Sequence, residues 1–211
     1  MPLLHWSPRS PYVRKVMVAL HEHGLAGQVR TVRTQADPMI PHEALMTINP
    51  LGKIPTLELD DGRILYDSHV IATWIDQQTG NARLFPHDRH MRLLAERDEA
   101  LGNGILDFAL AWLVETRLRP ESQRSSSMVA VYRRKLRSVA TFLEDYVRNL
   151  TERPFDIGHV TIGVALSYLD FRFDNENWRD GQARLAAWHA EFSTRPSVTA
   201  TAFRDDLRPG S

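Results

Sequence analysis

"NPLGKIPTLELDDGRILYDS", Asn49 to Ser68, holds a proline, two short apolar runs and a helix start in one stretch. Asp61-Gly62 stands between the runs Thr56–Leu59 and Arg63–Tyr66, and an Asp-Gly pair between such runs is the strongest short-range sign of a hairpin. Pro55 opens the first run. A proline entering a strand removes one donor from the ladder, and two readings of it stand. It is a trans proline at the start of an edge strand, or the Ile54–Pro55 bond is cis. The cis form turns the Ile54 backbone outward, its N–H and C=O free for an extended, peptide-like ligand. At the other end, Asp67 and Ser68 sit where the second run hands over to a helix with Val70, Ile71, Trp74 and Ile75 on one face.

Toward the N-terminus, residues 2–6 read as a short apolar strand. Ser10 begins a helix with Pro11 at its first position, Val13, Val16, Met17 and Leu20 on one face, and Gly24 as its stop. Gln28–Thr34 alternates as a half-buried strand does, and Pro41 to Met46 is a short helical stretch. The order β-α-β-α-β-β-α closes at Gly80. Beyond the connector "GNARLFPHD" (Gly80–Asp88) the pattern turns helical throughout: Arg89–Leu118, Met128–Leu150, Ile157–Phe173, Gln182–Phe192 and a last short helix after Pro196, with Arg119–Ser127 as a loop. The expected organisation is an α/β domain over 1–79, a linker over 80–87 and an all-α domain over 88–211. "VTIGVALSYLDF" (Val160–Phe171) is apolar nearly all round and is expected to be the central buried helix, with Gly158 and Gly163 admitting close neighbours.

Composition narrows the chemistry. The 211 residues carry 26 Lys+Arg and 26 Asp+Glu, a balance that gives no general attraction for nucleic acid or an anionic membrane. No apolar run reaches the roughly 18 residues of a membrane span, and "MPLLHWSPRS" lacks the pattern of a secretory signal, so a cytoplasmic address is expected. There is no cysteine, which excludes disulfides, thiolate-bound metals and a thiol redox cycle on the protein itself. Any sulfur chemistry uses a ligand's sulfur. His87 and His90 lack a third ligand and give no metal site.

The polar residues around the sheet suit an amino-acid ligand. A free helix N-terminus binds anions, so the Ser68 amide and hydroxyl suit a carboxylate, while Asp67 suits an ammonium group. Equally, Ser68 caps the helix and Asp67 complements its dipole. Lys53 neutralises a second carboxylate or is simply solvated. Ser10 is a helix cap, a group that acts on something bound, or both through different atoms. Ser7 is the substitute for the second role, Tyr12 lies on the helix surface, and Arg9 and Arg14 steer an anion or are exposed.

The segments "SPYVRKVMVALHEHG", "NPLGKIPTLEL" and "LYDSHVIATWID" resemble the thioredoxin-like N-terminal domain of the cytosolic glutathione S-transferase family, in its bacterial serine/cysteine type. The helical second half is similar to that family's C-terminal domain. The resemblance implies glutathione as co-substrate and no metal. Asp67 and Ser68 hold its γ-glutamyl end, the Ile54 backbone beside Pro55 pairs with the cysteinyl unit, and Lys53 lies near the glycine carboxylate. Ser10 stands where related proteins carry the cysteine of a Cys-Pro pair, and a serine forms no mixed disulfide, so the resemblance implies thiolate stabilisation rather than reductase work. An ordinary thiol has a pKa of ~8.5, and lowering it by about two units takes ~2.7 kcal/mol of preference for the anion. A hydrogen bond to a charged acceptor supplies ~1.5–3 kcal/mol and a helix N-terminus ~0.3–1 kcal/mol, so one hydroxyl is enough.

The implied function is a detoxifying transferase that presents the thiolate to a small apolar electrophile. The pocket for it is lined by the first long helix of the second domain around Asn103, Asp107 and Ala111, with Trp112 in the core. A homodimer is implied as well. The alternatives are a glutathione-dependent isomerase, dehalogenase or peroxidase, or a non-catalytic interaction module of the same fold. Family members open the buried helix with a Ser/Thr cap and an acidic residue three places on. Here those places hold Asp156 and His159, so the reciprocal carboxylate bond of a capping box is expected to be missing.

Overall fold

The computed structural model describes residues 1–80 and 83–206. Two compact units are present, Met1–His87 with Pro196–Ser211, and Asp88–Arg195.

The first unit is built on a four-stranded sheet of order β2-β1-β3-β4, with β1 at Leu3–Trp6, β2 at Arg30–Arg33, β3 at Thr56–Glu58 and β4 at Ile64–Leu65. β1 runs parallel to β2 and antiparallel to β3, and β4 is antiparallel to β3. The Asp61-Gly62 turn closes the β3–β4 hairpin as expected: Gly62 N–H donates to Leu59 C=O at 3.0 Å, and Gly62 has φ +84°, a value that favours glycine. Helices α1 (Pro11–Glu22), α2 (Glu43–Met46) and α3 (Ser68–Gln78) complete a thioredoxin-like βαβαββα order. The apolar stripe of α1 (Val13, Val16, Val18, Ala19, Leu20) is buried with Ile71, Ala72 and Ile75 of α3 and with Leu4 and Leu57 of the sheet.

The second unit is all-helical. Helix α4 (Arg89–Leu113) runs into a π-helical turn at Val114–Leu118, so the expected long helix keeps its extent but widens in its last turn. Then come α5 (Ser126–Thr151), α6 (Ile157–Arg172) and α7 (Ala183–Thr194). Residues Ile157 to Leu166 of α6 are all buried, as its apolar sequence requires. Trp112 is a core residue at 1% exposure, stacked on Phe173 at 4.5 Å and on Tyr132 at 6.1 Å.

Glycines set how close these helices come. Gly158 faces Asp98, and Gly163 faces the Phe192 ring. Gly102 of α4 lies against the α6 backbone: a Cβ there would stand 2.7 Å from the carbonyl carbon of Thr161. Gly102→Ala is expected to destabilise the protein by ~1–3 kcal/mol, because the overpacking outweighs the ~0.5–1 kcal/mol that alanine gains in a helix. Denaturant unfolding of Gly102→Ala beside Gly104→Ala, where a Cβ meets nothing within 4 Å, measures the difference. Equal midpoints for the two variants would contradict this account.

The last helix, α8 (Pro196–Thr199), and the segment after it belong with the first unit, although residues 88–211 were expected to form one helical domain. The reason is a set of contacts along α1: Ser197 Oγ donates to Glu22 at 2.5 Å, and Arg14 Nη2 donates to Val198 C=O at 3.2 Å.

Asp156 caps α6 without the reciprocal carboxylate bond, as expected. Asp156 Oδ1 accepts from Gly158 N–H at 2.9 Å, and an imidazole stands where the carboxylate would: His159 Nδ1 lies 2.7 Å from Asp156 Oδ1 and 3.2 Å from Asp156 N. The other ring nitrogen, Nε2, lies 2.7 Å from Leu150 C=O. A histidine at the third helical position thus ties back to the cap residue, as a glutamate does in the usual motif.

Candidate active site

The strand register gathers the expected site residues at one end of the sheet. His5 pairs with Thr56 and Leu57 with Leu65, so the end of β1, the start of β3 and the end of β4 lie side by side. Ser7–Ser10 leaves the first, Ile54–Pro55 enters the second, and Asp67–Ser68 leaves the third. Both α1 and α3 begin there, which brings two helix N-termini to the same edge.

Ser10 is the cap of α1, in extended backbone conformation (φ −83°, ψ 122°), and its Oγ accepts from Val13 N–H at 3.3 Å. That bond uses a lone pair. The hydroxyl proton has no acceptor among the described residues, so Ser10 caps the helix with its donor unused. Ser10 N–H donates to Ser7 C=O at 3.2 Å, closing a turn with Pro8 and Arg9 at its centre. Ser7 itself is 6% exposed and accepts from Arg9 N–H at 3.3 Å. It lines a cavity of about 50 Å³ shared with Arg14 and Ala200–Ala202. Ser10 is half-exposed and does not line that cavity.

The Ile54–Pro55 bond is cis. Ile54 is half-buried, and its N–H and C=O make no hydrogen bond among the described residues. Sequence reasoning missed what holds this loop. Asn49 is 1% exposed and donates through Nδ2 to Lys53 C=O at 3.2 Å and to Thr56 Oγ1 at 2.9 Å. Its Oδ1 accepts from Leu51 N–H at 3.0 Å. The available signal was the Asn-Pro pair at 49–50, since asparagine bonds its own backbone two residues on. The Lys53 side chain is exposed and forms no ion pair among the described residues.

The two explanations of Asp67-Ser68 resolve in an unexpected way, because the cap of α3 is Asp67. Its Oδ1 accepts from His69 N–H at 2.9 Å, while Ser68 is the first helical residue. Asp67 is exposed, and its second carboxylate oxygen has no partner among the described residues. Ser68 is 2% exposed, and its hydroxyl also lacks a partner among them.

The two arginines near the site neither steer an anion nor lie free. Arg9 pairs with Asp205 and Asp206 at 3.2 and 3.0 Å. Arg14 is buried under the C-terminal segment, its guanidinium 4.4 Å from the centre of the Phe203 ring, and burial pushes its pKa down to about 10. Among the described residues no three His, Cys, Asp or Glu side chains converge as metal ligands, and no described helix is long and apolar enough to cross a membrane.

The family model for the glutathione S-transferase N-terminal domain matches residues 9–78. Across the longer chain, the uncharacterised GST-like protein YibF of Escherichia coli K12 is 30% identical over 195 residues, 91% of this chain and 94% of that protein. This chain belongs to the glutathione S-transferase family. Among solved structures of the family, a Pseudomonas fluorescens Pf-5 member with bound glutathione is 40% identical, with a TM-score of 0.92 over 97% of this chain and all of that one. A Methylobacillus flagellatus glutathione S-transferase with glutathione bound is 33% identical, with a TM-score of 0.86 over 96% of this chain and 99% of that one.

Proposed function

We propose that this glutathione S-transferase family member binds glutathione at the sheet end where Ser10, Ile54, Asp67 and Ser68 gather, and activates its thiol for attack on a small apolar electrophile. The observation that carries the reading is that unused groups converge there in complementary kinds. One oxygen of Asp67 and the Ser68 hydroxyl match the ammonium and carboxylate of a γ-glutamyl group, and the Ile54 N–H and C=O match a peptide unit. The Ser10 O–H matches a thiolate. Lys53, exposed at the loop, answers the glycine carboxylate. The glutathione found in the Pseudomonas fluorescens relative supports the same ligand.

The chemistry then follows from charge. Ser10 donates its hydroxyl proton as a hydrogen bond to the sulfur and, with the N-terminus of α1, favours the anion; the thiol proton leaves to solvent. The thiolate forms a carbon–sulfur bond with the electrophile, and either a leaving group departs with its electron pair or an activated double bond takes the charge. A homodimer, a cytoplasmic address and a detoxifying role go with this reading, and sedimentation tests the first of them.

Asp67→Asn is the sharpest probe of the amino-acid end, because asparagine caps a helix as well as aspartate does while the charge is lost. Glutathione affinity measured by calorimetry is expected to fall ~10-fold or more, the size of one hydrogen bond to a charged group, with the melting temperature of the free protein little changed. Affinity equal to that of the parent protein would remove Asp67 from the site. No thermal stabilisation of the parent by millimolar glutathione would remove the reading altogether and leave the interaction module.

A further inference from the structure

The turn that carries Ser10 is gripped by the far end of the chain. From Ser197 at the end of α1, where it bonds Glu22, the C-terminal segment runs back along that helix, over Arg14 by way of Val198 and Phe203, to the Ser7–Ser10 turn. There Arg204 N–H donates to Pro8 C=O at 3.3 Å. The Arg9 guanidinium pairs with Asp205 and Asp206 and donates to the Asp206 C=O as well. Arg33, the last residue of β2, fixes the same Asp206 carboxylate from the other side, through Nε at 2.5 Å and Nη2 at 3.1 Å. Both central residues of the turn, Pro8 and Arg9, are therefore held by this strap.

We propose that Asp206, through Arg9, is a positioning residue for Ser10. The inference rests on the glutathione reading above. The strap fixes the turn that fixes the hydroxyl, so that the proton of Ser10 points at the bound thiol rather than moving with a two-residue turn. Docking alone does not require this arrangement. Phe203, Val198 and Ser197 already fasten the segment to α1, and ion pairs as exposed as Arg9–Asp205 and Arg9–Asp206 add little to stability. Yet two arginines from different elements converge on one carboxylate at the turn beside Ser10. Small displacements matter there, because a site group must be held within roughly 0.5 Å to act on its target.

The test compares Asp206→Asn, Asp206→Glu and Arg33→Gln with the parent protein. Each is measured for glutathione affinity by calorimetry and for ionisation of the bound thiol by its ultraviolet thiolate absorbance against pH. Asp206→Asn is expected to bind glutathione within about threefold of the parent, since the γ-glutamyl contacts are untouched. Its thiol midpoint is expected to rise by about one unit, which from a parent midpoint about two units below ~8.5 is a roughly threefold loss of thiolate at neutral pH. Asp206→Glu restores most of the shift, and Arg33→Gln gives a smaller shift in the same direction. An unmoved midpoint in Asp206→Asn overturns the proposal. If that variant does not fold, an unmoved midpoint in Arg33→Gln overturns it. A parent protein that binds no glutathione, or binds it with an ordinary thiol midpoint, defeats the glutathione reading itself; a depressed parent midpoint that ignores both substitutions defeats only the role of the strap.

Discussion

Ser10→Ala is expected to raise the ionisation midpoint of bound glutathione by about one to two units, because the lost hydrogen bond to the anion is worth ~1.5–3 kcal/mol. At neutral pH, starting from a midpoint about two units below the ordinary ~8.5, the thiolate fraction, and with it the rate of conjugation, falls ~3- to 25-fold. The same substitution removes the cap that Val13 N–H uses, so the protein also loses ~1 kcal/mol of stability. These two effects separate by substitution. Ser10→Thr keeps both the cap and a hydroxyl, and is expected to recover stability fully and ionisation in large part. Ser7→Ala leaves the thiol titration close to the parent's, because the Ser7 side chain is buried and its hydroxyl already accepts from Arg9 N–H. A normal titration in Ser10→Ala together with a raised midpoint in Ser7→Ala would exchange their roles.

What the sequence revealed and what it hid divide along the range of the interactions. Asp61-Gly62, the Ser10-Pro11 start of α1 and the all-apolar run of α6 are local signals, and each produced its element within a residue or two. The α/β-then-helical order followed from them. The choice of Asp67 over Ser68 as the cap of α3 was not legible, since both are good caps and only the backbone turn at Asp67 (φ −88°, ψ −158°) decides. The role of His159 was hidden because imidazole is not the usual partner in a capping box. Within its own helix a glycine at 102 is only a local weakness; its reason is the α6 backbone, nearly sixty residues along the chain. Hardest of all was the tail. Nothing in the spacing of "FRDDLRPGS" (Phe203–Ser211) announces that Asp206 meets Arg9 and Arg33. Charge pairs between distant segments leave no period to detect.

The helical unit carries the largest stability effect. The Asp98 side chain is 0% exposed and takes Arg153 Nη2 at 2.5 Å, Arg97 Nη2 at 2.6 Å and Tyr146 Oη at 3.1 Å. Arg153, 6% exposed, also pairs with Asp156, the cap of α6. One carboxylate thus joins α4 to α5 and to the start of the central helix. Removing it leaves a buried guanidinium with half its partners, and Asp98→Ala is expected to cost ~3–5 kcal/mol, against a total stability of ~5–15 kcal/mol for a typical domain. Asp98→Leu combined with Arg153→Met is expected to cost less than the two single changes added together, because no charge is then stranded. Acid reports on the same network through Asp156. Burial works to raise its pKa, but the His159 and Arg153 contacts outweigh burial and hold it below the ordinary value of about 3.9. A carboxylate so held contributes stability that is whole above that value and lost as the pH falls through the lower folded one. Denaturant midpoints of the parent are therefore expected to drop steeply below about pH 4. In His159→Ala, which gives up the main contact favouring the charged form, the acid loss becomes shallower and total stability at neutral pH is reduced. An Asp98→Ala protein within ~1 kcal/mol of the parent in denaturant would show that the cluster is spectator to the packing of α4 and α6 around Gly102 and Gly158, and that the helices hold α6 in place without it.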